Sequence, residues 1–532
     1  MKHAVYKQHS ENEKNMSKKQ IHLFSLFYGR KRSKCLEVDV LEIIEVLLSG
    51  QLKEMCDQNN IETNPLKSAR LFHQLGKMYT QRSPNKLCLV KSAILYNAAL
   101  TRMPENEFEF KKDLNELFSH VIDLAGAKKL GDSSLQIADV LQNTMQTYRK
   151  TIKKQVEDIS QVTGESNTQS FQTKLVFNVE KLQKEIYEFF SGFMESITKY
   201  CLSAKGNPPC RCALVGMGSL ARKEVTPYSD FEHIILLEEG VHEKENYQEK
   251  LEYFRWVSVI FHITVANLRE TIVPSVALPY LNNPWHKNWN WFYDAHTRKG
   301  ISFDGMFPSA CKFPLGRAGK PGRLNNSAEL IRPVGKMLKY LSSNKELKNG
   351  YHLADVLTST CFVCGDEFLH KLFAQQADKI GMKKELMEKQ LMEDIKKFSP
   401  IDSLSNVSPY KKWNMKGVVY RSTTLFFAAL AKYFRVKSLG NTTFNTKRKL
   451  VQTEIISQTF AESLLFAFAD ACYIRLSVYC KEIDKKIGWN FQIIITITCS
   501  LLTSLKYWTK VLQSSIFKQQ CSFSEKRADS LA

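Results

Sequence analysis

Proline and glycine are scarce in this sequence, and regularly spaced cysteines are missing. With 15 prolines and 23 glycines in 532 residues, the chain has few turn residues, which favours long helices over a loop-rich all-β body. The 13 cysteines are scattered without a repeated spacing, so we expect reduced thiols rather than a disulfide framework. Residues 1–20 lack the apolar core of a signal peptide, which leads us to expect a cytoplasmic protein.

Long apolar runs are also few. The strongest is residues 487–505, which lies between Lys486 and Lys506. It contains Asn490, Gln492 and several Ser and Thr side chains, all of which disfavour insertion into a bilayer. We therefore predict a buried helix or strand here rather than a membrane span, and membrane binding is not expected.

The net charge of +21 is concentrated in two regions. Residues 1–34 form a basic tail, and residues 379–450 carry the larger excess of Lys and Arg. The second region could face a nucleotide, RNA or an acidic protein. The alternative interpretation is a set of solvated helix surfaces, which bind nothing in particular.

A helical hairpin is indicated within residues 36–165, through which a protein partner could bind. Its small and aromatic positions are Phe72, Leu75, Gly76, Tyr79, Ser92, Tyr96, Ala99 and Pro104. This pattern resembles a tetratricopeptide repeat (TPR), in which small residues let two antiparallel helices pack closely. No second copy is evident, and such arrays need several units. A degenerate hairpin and a repeat domain therefore both remain open.

Strand and helix patterns alternate between residues 205 and 310, with helical patterns on either side. The predicted order is strand 212–215, turn, short helix 220–225, loop, strand 231–237 and then a long helix. This order predicts an α+β, helix-rich fold, in which a small mixed sheet lies between an N-terminal TPR-like and a C-terminal helical region. The predicted divisions are a basic disordered tail 1–35, helices 36–165, an α/β domain 170–325, a helical bundle 326–485, and an apolar segment with a polar tail 486–532.

Two acidic residues stand at the start of the second predicted strand. Asp230 and Glu232 are two positions apart, so a strand would direct both carboxylates to one face and turn Phe231 into the core. Carboxylates are the ligands that Mg²⁺ prefers, and nucleotidyl transfer uses two such ions. Asp304, at the end of the extended segment "ISFDG", is the candidate for a third carboxylate that also helps deprotonate the attacking hydroxyl.

A candidate phosphate-binding turn precedes the acids. Glycine lets backbone N–H groups approach phosphate oxygens, a helix N-terminus favours anions, and cations one turn further could reach the β- and γ-phosphates. The residues concerned are Gly216, Gly218, Ser219, Arg222 and Lys223. Pro227 and Ser229 are expected to hold the return loop that places Asp230 opposite the glycine turn.

The stretch "VGMGSLARKEVTPYSDFEHIILL", residues 215–237, resembles the signature of the DNA polymerase β-type nucleotidyltransferase superfamily. It is most similar to the N-terminal catalytic domain of PII-protein uridylyltransferases. The resemblance implies that Gly218 and Ser219 bind a triphosphate, and that Arg222 and Glu224 shape the loop. It also implies that Asp230 and Glu232 bind Mg²⁺, and that NMP passes from UTP or ATP to a hydroxyl, with a protein as the expected acceptor, releasing pyrophosphate.

The sequence departs from that family in two places. Glu232 stands where aspartate is usual, and the segment "FDGMFPSACKFPLGR" lacks the second acid and the first arginines that accompany the family's third carboxylate. Glutamine sensing and removal of the transferred group are therefore not expected. Two alternatives stay open: transfer to RNA ends, which we favour less, and a decayed transferase that acts as a helical scaffold.

Two further motifs are assigned to the core. The Trp-rich segment 283–300 could stack a base or grip a partner, but packing through Trp289 and Phe292 is favoured. The single pair Cys361 and Cys364 lies inside an apolar run, and zinc would need four ligands. Both cysteines are therefore expected to be buried thiols.

Overall fold

The computed structural model describes residues 40–56, 62–82, 85–103, 107–128, 134–162, 169–276, 278–281, 292, 294, 296–298, 300–302, 314–316, 329–342, 353–381, 420–421, 424, 428, 431, 436 and 442–480. Several predicted features lie outside these ranges. They are the basic tail 1–35, Pro104, Trp289, Asp304, most of the basic region 379–450, and the segment 486–532.

Helices dominate the described part of the chain. Six precede the first strand: α1 Val40–Glu54, α2 Pro65–Gln81, α3 Lys86–Arg102, α4 Glu107–Leu124, α5 Ser134–Val162 and α6 Gln169–Lys205. Six more follow it: α7 Tyr247–Ala266, α8 Val334–Ser342, α9 Leu353–Leu357, α10 Glu367–Ile380, α11 Thr443–Gln452 and α12 Gln458–Cys480. The scarcity of proline and glycine predicts this composition.

Helices α2 and α3 begin where the sequence supplies capping groups. Asn64 Oδ1 accepts a hydrogen bond from the Lys67 N–H at 3.0 Å, and Pro65 occupies the first turn, where no N–H partner is needed. Asn85 Oδ1 accepts from the Leu87 N–H at 3.0 Å. Both helices therefore begin at an asparagine side chain that satisfies a backbone N–H of the first turn.

The two helices pack as an antiparallel hairpin. The Ser92 hydroxyl donates to the Gly76 carbonyl at 2.8 Å, and the Thr80 and Ser92 hydroxyls are 2.7 Å apart. A Cβ on Gly76 would lie 2.5 Å from Tyr96 Cε1, so the absence of a side chain is what allows the close approach. The helical hairpin is confirmed, whereas its tetratricopeptide character stays a prediction.

We expect Gly76→Ala to destabilise the protein. The added methyl group would force the buried Tyr96 ring to move, and such overpacking costs about 1–3 kcal/mol. Gly192→Ala is the matched control, since Gly192 is also helical but has no atom within 4 Å of its Cβ position. That change should add about 0.5–1 kcal/mol of stability. Equal urea midpoints for the two variants would contradict this account of the hairpin.

A four-stranded mixed sheet lies between the helical regions. Its strands are β1 Cys212–Met217, β2 His233–Leu237, β3 Ile331–Pro333 and β4 Thr360–Gly365, in the order β3-β2-β1-β4. β1 pairs antiparallel with β2 and β4, and β2 pairs in parallel with β3. The predicted small mixed sheet within a helix-rich α+β fold is therefore confirmed.

Both faces of the sheet are buried, which explains its almost uninterrupted apolar strands. Ala213, Val215 and Met217 face α8, α9 and α10 in a smaller core. Leu214 and Ile235 point the other way, into the main core that also contains residues of α6 and α7. Because that main core includes residues of helices α1 to α7 together with α11, α12 and the strands, the N-terminal helices pack together with the sheet domain.

The C-terminal half differs from expectation in two strands. Residues 328–484 read as helical throughout, yet β3 and β4 lie within them. A three-residue strand and a six-residue apolar strand are too short for periodicity to separate them from buried helix. β4 contains Cys361 and Cys364, and both thiols are buried, as the sequence predicts. Burial raises the pKa of Cys361 to about 12.

Helix α12 is long and apolar enough, by length and composition, to cross a membrane. In the structure 72% of its most apolar window is buried inside the protein, and it packs against α5 and α6. It therefore serves as a core helix within the described part of the chain.

Phe292 and Asp294 contact the N-terminal helices. Phe292 is buried, as predicted, and meets Phe72 edge-on at 5.4 Å. Arg102 Nη2 donates to Asp294 at 2.7 Å, and Arg102 Nε donates to Glu62 at 2.9 Å. Burial opposes ionisation of Asp294, but Arg102 and backbone N–H groups lower the pKa of that carboxyl below its ordinary value.

Candidate active site

The glycine turn follows directly from β1. Gly218 has a φ of 63°, and the chain then turns back on itself through hydrogen bonds from Lys223 N to Leu220 O at 2.9 Å and from Glu224 N to Ser219 O at 2.7 Å. Lys223 itself has a φ of 57°. The predicted short helix over residues 220–225 is wrong, because the left-handed residue ends the turn before a helix can propagate. Ser219 therefore caps no helix.

The predicted acidic pair flanks a buried aromatic ring. Phe231 is fully buried and its ring lies 4.5 Å from that of His233, two residues later. Asp230 and Glu232 are both half-buried, which agrees with the predicted alternation across a strand-like segment. Phe231 N donates to Ser302 O at 2.7 Å, and Met217 N donates to Glu232 O at 2.9 Å.

The glycine turn and the acidic pair meet. A Cβ on Gly218 would lie 1.8 Å from Glu232 Oε2, so the carboxylate lies against the bare Cα of the turn. Neither a larger residue at 218 nor another backbone conformation fits this contact. The structure thus brings the predicted phosphate-binding turn and one predicted metal ligand into direct contact.

The chemistry of the acids fits a hard divalent cation. Two half-buried carboxylates supply oxygen ligands beside a turn proposed for phosphate, which is the donor set that Mg²⁺ takes. Within the described residues, no group of three His, Cys, Asp or Glu side chains could hold a metal ion. Asp304, the predicted third ligand, lies outside the described ranges, although Ser302 two residues earlier bonds to Phe231.

The two predicted phosphate-binding cations contact protein groups. Arg222 Nε donates to Glu224 Oε2 at 2.9 Å, and the Lys223 ammonium lies 4.8 Å from the centre of the Tyr187 ring. Burial lowers the pKa of Arg222, but the Glu224 carboxylate outweighs this effect and the net pKa is raised. The Arg222 side chain is 26% exposed.

Glu224 is the centre of a buried hydrogen-bond network. Its carboxylate accepts hydrogen bonds from Arg222, from Tyr420 at 2.7 Å and from Thr443. Burial, together with the charge of Glu224, raises the pKa of the Tyr420 hydroxyl well above its ordinary value. The loop-shaping role expected for Glu224 thus rests on groups about two hundred residues away in sequence.

Arg475 of α12 holds the same loop from the other side. Its Nη1 donates to the Glu224 carbonyl at 3.3 Å and its Nη2 to Ser229 Oγ at 3.4 Å. Sequence reasoning missed this residue. The available signal was a single charge within the apolar stretch 471–480, because a cation buried in a core helix needs a partner.

Pro227 and Ser229 both accept hydrogen bonds within or onto the predicted return loop. Ser229 Oγ accepts from the Thr226 N–H at 2.9 Å and closes a tight turn. The Pro227 carbonyl accepts two hydrogen bonds from Arg149 of α5, at 3.0 and 2.8 Å. This second buried arginine was also missed. It lies in a long amphipathic helix, where a charge carries no signal of its own.

Two buried histidines, His233 and His262, pack close to the acidic segment. Burial lowers the pKa of His262 to about 3, and burial together with His262 lowers the pKa of His233 well below its ordinary value. The two rings stack 5.5 Å apart. Both imidazoles are therefore neutral at physiological pH and act as packing groups beneath Phe231.

A glycine turn after β1 and an acid-x-acid segment before β2 therefore lie side by side in a small mixed sheet, which is the arrangement that the resemblance to nucleotidyltransferases predicts. In agreement, residues 166–261 match the family described as "Putative nucleotidyltransferase DUF294". The match includes the glycine turn, both acids and most of α7, and it is consistent with a domain of the nucleotidyltransferase superfamily over these residues. No curated protein matches the chain.

Proposed function

We propose that this protein is a Mg²⁺-dependent nucleotidyltransferase that transfers NMP from a nucleoside triphosphate to a hydroxyl group. The observation that carries the proposal is the contact of Glu232 with Gly218, because it places a carboxylate that could bind metal next to the predicted phosphate-binding turn. The family match over residues 166–261 supports the same class. The resemblance to PII-protein uridylyltransferases adds UTP or ATP as the donor and a protein as the acceptor.

Three carboxylates would hold the two metal ions: Asp230, Glu232 and Asp304. When bound, Mg²⁺ would neutralise the triphosphate charge and polarise the α-phosphate. For Asp304 the support is indirect, since Ser302 two residues earlier pairs with the backbone of Phe231. We assign Asp304 the further role of accepting the proton of the attacking hydroxyl.

The proposed reaction is a single displacement at the α-phosphorus. The acceptor oxygen forms a bond to the α-phosphorus, the bond between that phosphorus and the bridging oxygen breaks, and pyrophosphate leaves. Gly216, Gly218 and Ser219 would receive the triphosphate through the backbone and hydroxyl groups of the turn. Arg222 and Lys223 are the cations that would contact the leaving phosphates. Rate acceleration would come mainly from positioning and charge neutralisation.

One observation favours the non-enzymatic alternative. Arg222 is bound to Glu224 and Lys223 covers an aromatic ring, so both predicted phosphate-binding cations already have protein contacts. A decayed transferase that serves as a scaffold, with partners binding residues 36–165, would tolerate this arrangement. Transfer to RNA ends has no supporting contact among the described residues.

The test is incubation of the purified chain with each α-³²P-labelled NTP, Mg²⁺ and a cell lysate, followed by identification of the labelled species. We expect label on a protein, from UTP or ATP, and its loss when EDTA is added. If RNA is labelled instead, the acceptor is an RNA end and not a protein. Absence of transfer from all four nucleotides, together with partner capture by residues 36–165, would favour the scaffold.

A further inference from the structure

The buried ion pair between Arg149 and Glu270 connects the two segments that lead to the predicted metal ligands. Arg149 lies in α5, far from the glycine turn in sequence, and is only 7% exposed. Its Nε and Nη2 both donate to the Pro227 carbonyl, at 3.0 and 2.8 Å. This fork fixes the backbone three residues before Asp230.

The carboxylate of Glu270 bonds to the second segment, residues 300–302, which precedes Asp304. It accepts from Nη1 of Arg149, from Nη2 at 2.8 Å, and from the Ile301 N–H at 2.8 Å. The Glu270 carbonyl also accepts from Gly300 N at 3.3 Å. The chain from 300 to 302 is thereby held just before the position of Asp304 in sequence.

These contacts close a ring. From the segment that Glu270 holds, the Ser302 carbonyl accepts from Phe231 N at 2.7 Å, and Phe231 stands between the two predicted metal ligands. The guanidinium of Arg149 also lies 4.4 Å from the centre of the Tyr228 ring, which adds a cation–π contact to the same loop. Both segments are therefore held by the planar guanidinium of Arg149 on α5, one directly and the other through Glu270.

We propose that the Arg149–Glu270 pair is a positioning element of the active site, which sets the loop before Asp230 and the segment before Asp304 in mutual register. The proposal rests on the nucleotidyltransferase function. A buried ion pair contributes little net stability, because desolvation offsets the attraction. Its value here is geometric, since Arg149 also donates to the Pro227 carbonyl in one segment and Glu270 also accepts from the Ile301 N–H in the other. The N-terminal helical region is then part of the catalytic unit.

The proposal is tested with full-length Arg149→Lys and Glu270→Gln. Lysine cannot bridge a carbonyl and a carboxylate with a planar fork, so we expect kcat to fall about 100-fold while KM for the NTP changes less than about threefold. The Mg²⁺ concentration for half-maximal rate should rise about tenfold. Because each variant breaks the same bridge, the double variant should be no worse than Arg149→Lys alone.

Two measurements do not depend on turnover. Hydrogen–deuterium exchange of residues 226–232 should accelerate at least tenfold in both variants, and Mn²⁺ affinity measured by electron paramagnetic resonance should weaken. The matched control is Arg82→Lys, which alters another ion pair, between half-buried Arg82 and buried Glu45 at 2.8 Å, within the N-terminal helices. It should leave the loop exchange and the Mn²⁺ affinity unchanged.

Unaltered exchange of residues 226–232 in folded variants would overturn the positioning role, and so would an equal response to Arg82→Lys or the unfolding of both variants. If the wild-type protein transfers no nucleotide, the proposed function fails, and the exchange measurement alone still decides whether the pair orders the loop. The two failures are therefore distinguishable.

Discussion

Asp230→Ala is expected to abolish nucleotide transfer, with a loss of at least about 10³-fold, because it removes a carboxylate that would hold the metal ions. The side chain is half-buried next to the fully buried Phe231, so the fold should persist. The measurement is incorporation of α-³²P label at saturating NTP and Mg²⁺, combined with thermal unfolding of the same sample.

A suitable control for this variant is Asp123→Ala, which removes an exposed carboxylate on α4. Its labelling should match that of the wild-type protein. If Asp230→Ala labels its acceptor at the wild-type rate, the assignment of the acidic pair as the metal site is wrong, and the family match would then describe a fold without its usual chemistry.

Gly218→Ala should produce the second large effect. A methyl group would lie 1.8 Å from Glu232 Oε2, at a backbone φ of 63°. The left-handed conformation alone costs about 1–2 kcal/mol for a residue with a Cβ, and the clash must displace the carboxylate as well. We expect labelling to fall at least about 100-fold, since the displaced group is the proposed metal ligand Glu232.

Gly126→Ala is a control that separates the effect of backbone strain from the effect of the clash with Glu232. Gly126 has a φ of 57° but no atom within 4 Å of its Cβ position, so it should lose stability and keep its activity. Adding Glu232→Asp to Gly218→Ala shortens the carboxylate by one methylene and should restore part of the lost activity. Identical behaviour of Gly218→Ala and Gly126→Ala would show that the contact with Glu232 is unimportant.

The local features of the site could be predicted because each is encoded within a few residues. The apolar runs around Gly216 and Glu232 predict two strands joined by a turn. The two-residue spacing of the acids predicts their shared face, and the buried ring of Phe231 agrees with it. In the N-terminal region, Gly76 and Tyr96 predict a close helical hairpin, which the structure contains.

The helix predicted over residues 220–225 failed for an equally local reason. Leu220, Ala221 and Arg222 favour helix, but Lys223 adopts a left-handed conformation that intrinsic propensity does not reveal. The bonds that impose it come from the tertiary structure. Glu224 is fixed by Arg222, Tyr420 and Thr443, and this network overrides the preference of the segment.

Non-local partners were beyond the reach of the sequence. Arg149, Glu270 and Arg475 approach the loop from helices or segments that precede or follow it by dozens to hundreds of residues. Likewise, β3 and β4 are recognisable as strands only through the neighbours that they pair with, because short apolar runs suit helix and strand alike. The proximity of the glycine turn and the acidic pair could thus be predicted, whereas most of the groups that hold them in place could not.

The pairing order of the sheet has a consequence for synthesis. During synthesis, β1 can pair with β2 soon after both strands leave the ribosome. The other edge of β1 pairs with β4, which is synthesised about 150 residues later. At roughly 5–20 residues per second, that edge stays uncovered for on the order of 10 seconds or more. An apolar strand with open backbone groups invites pairing with other chains during this interval. The nascent chain therefore passes through a window of aggregation risk, in which a chaperone that shields β1 would raise the yield of folded protein.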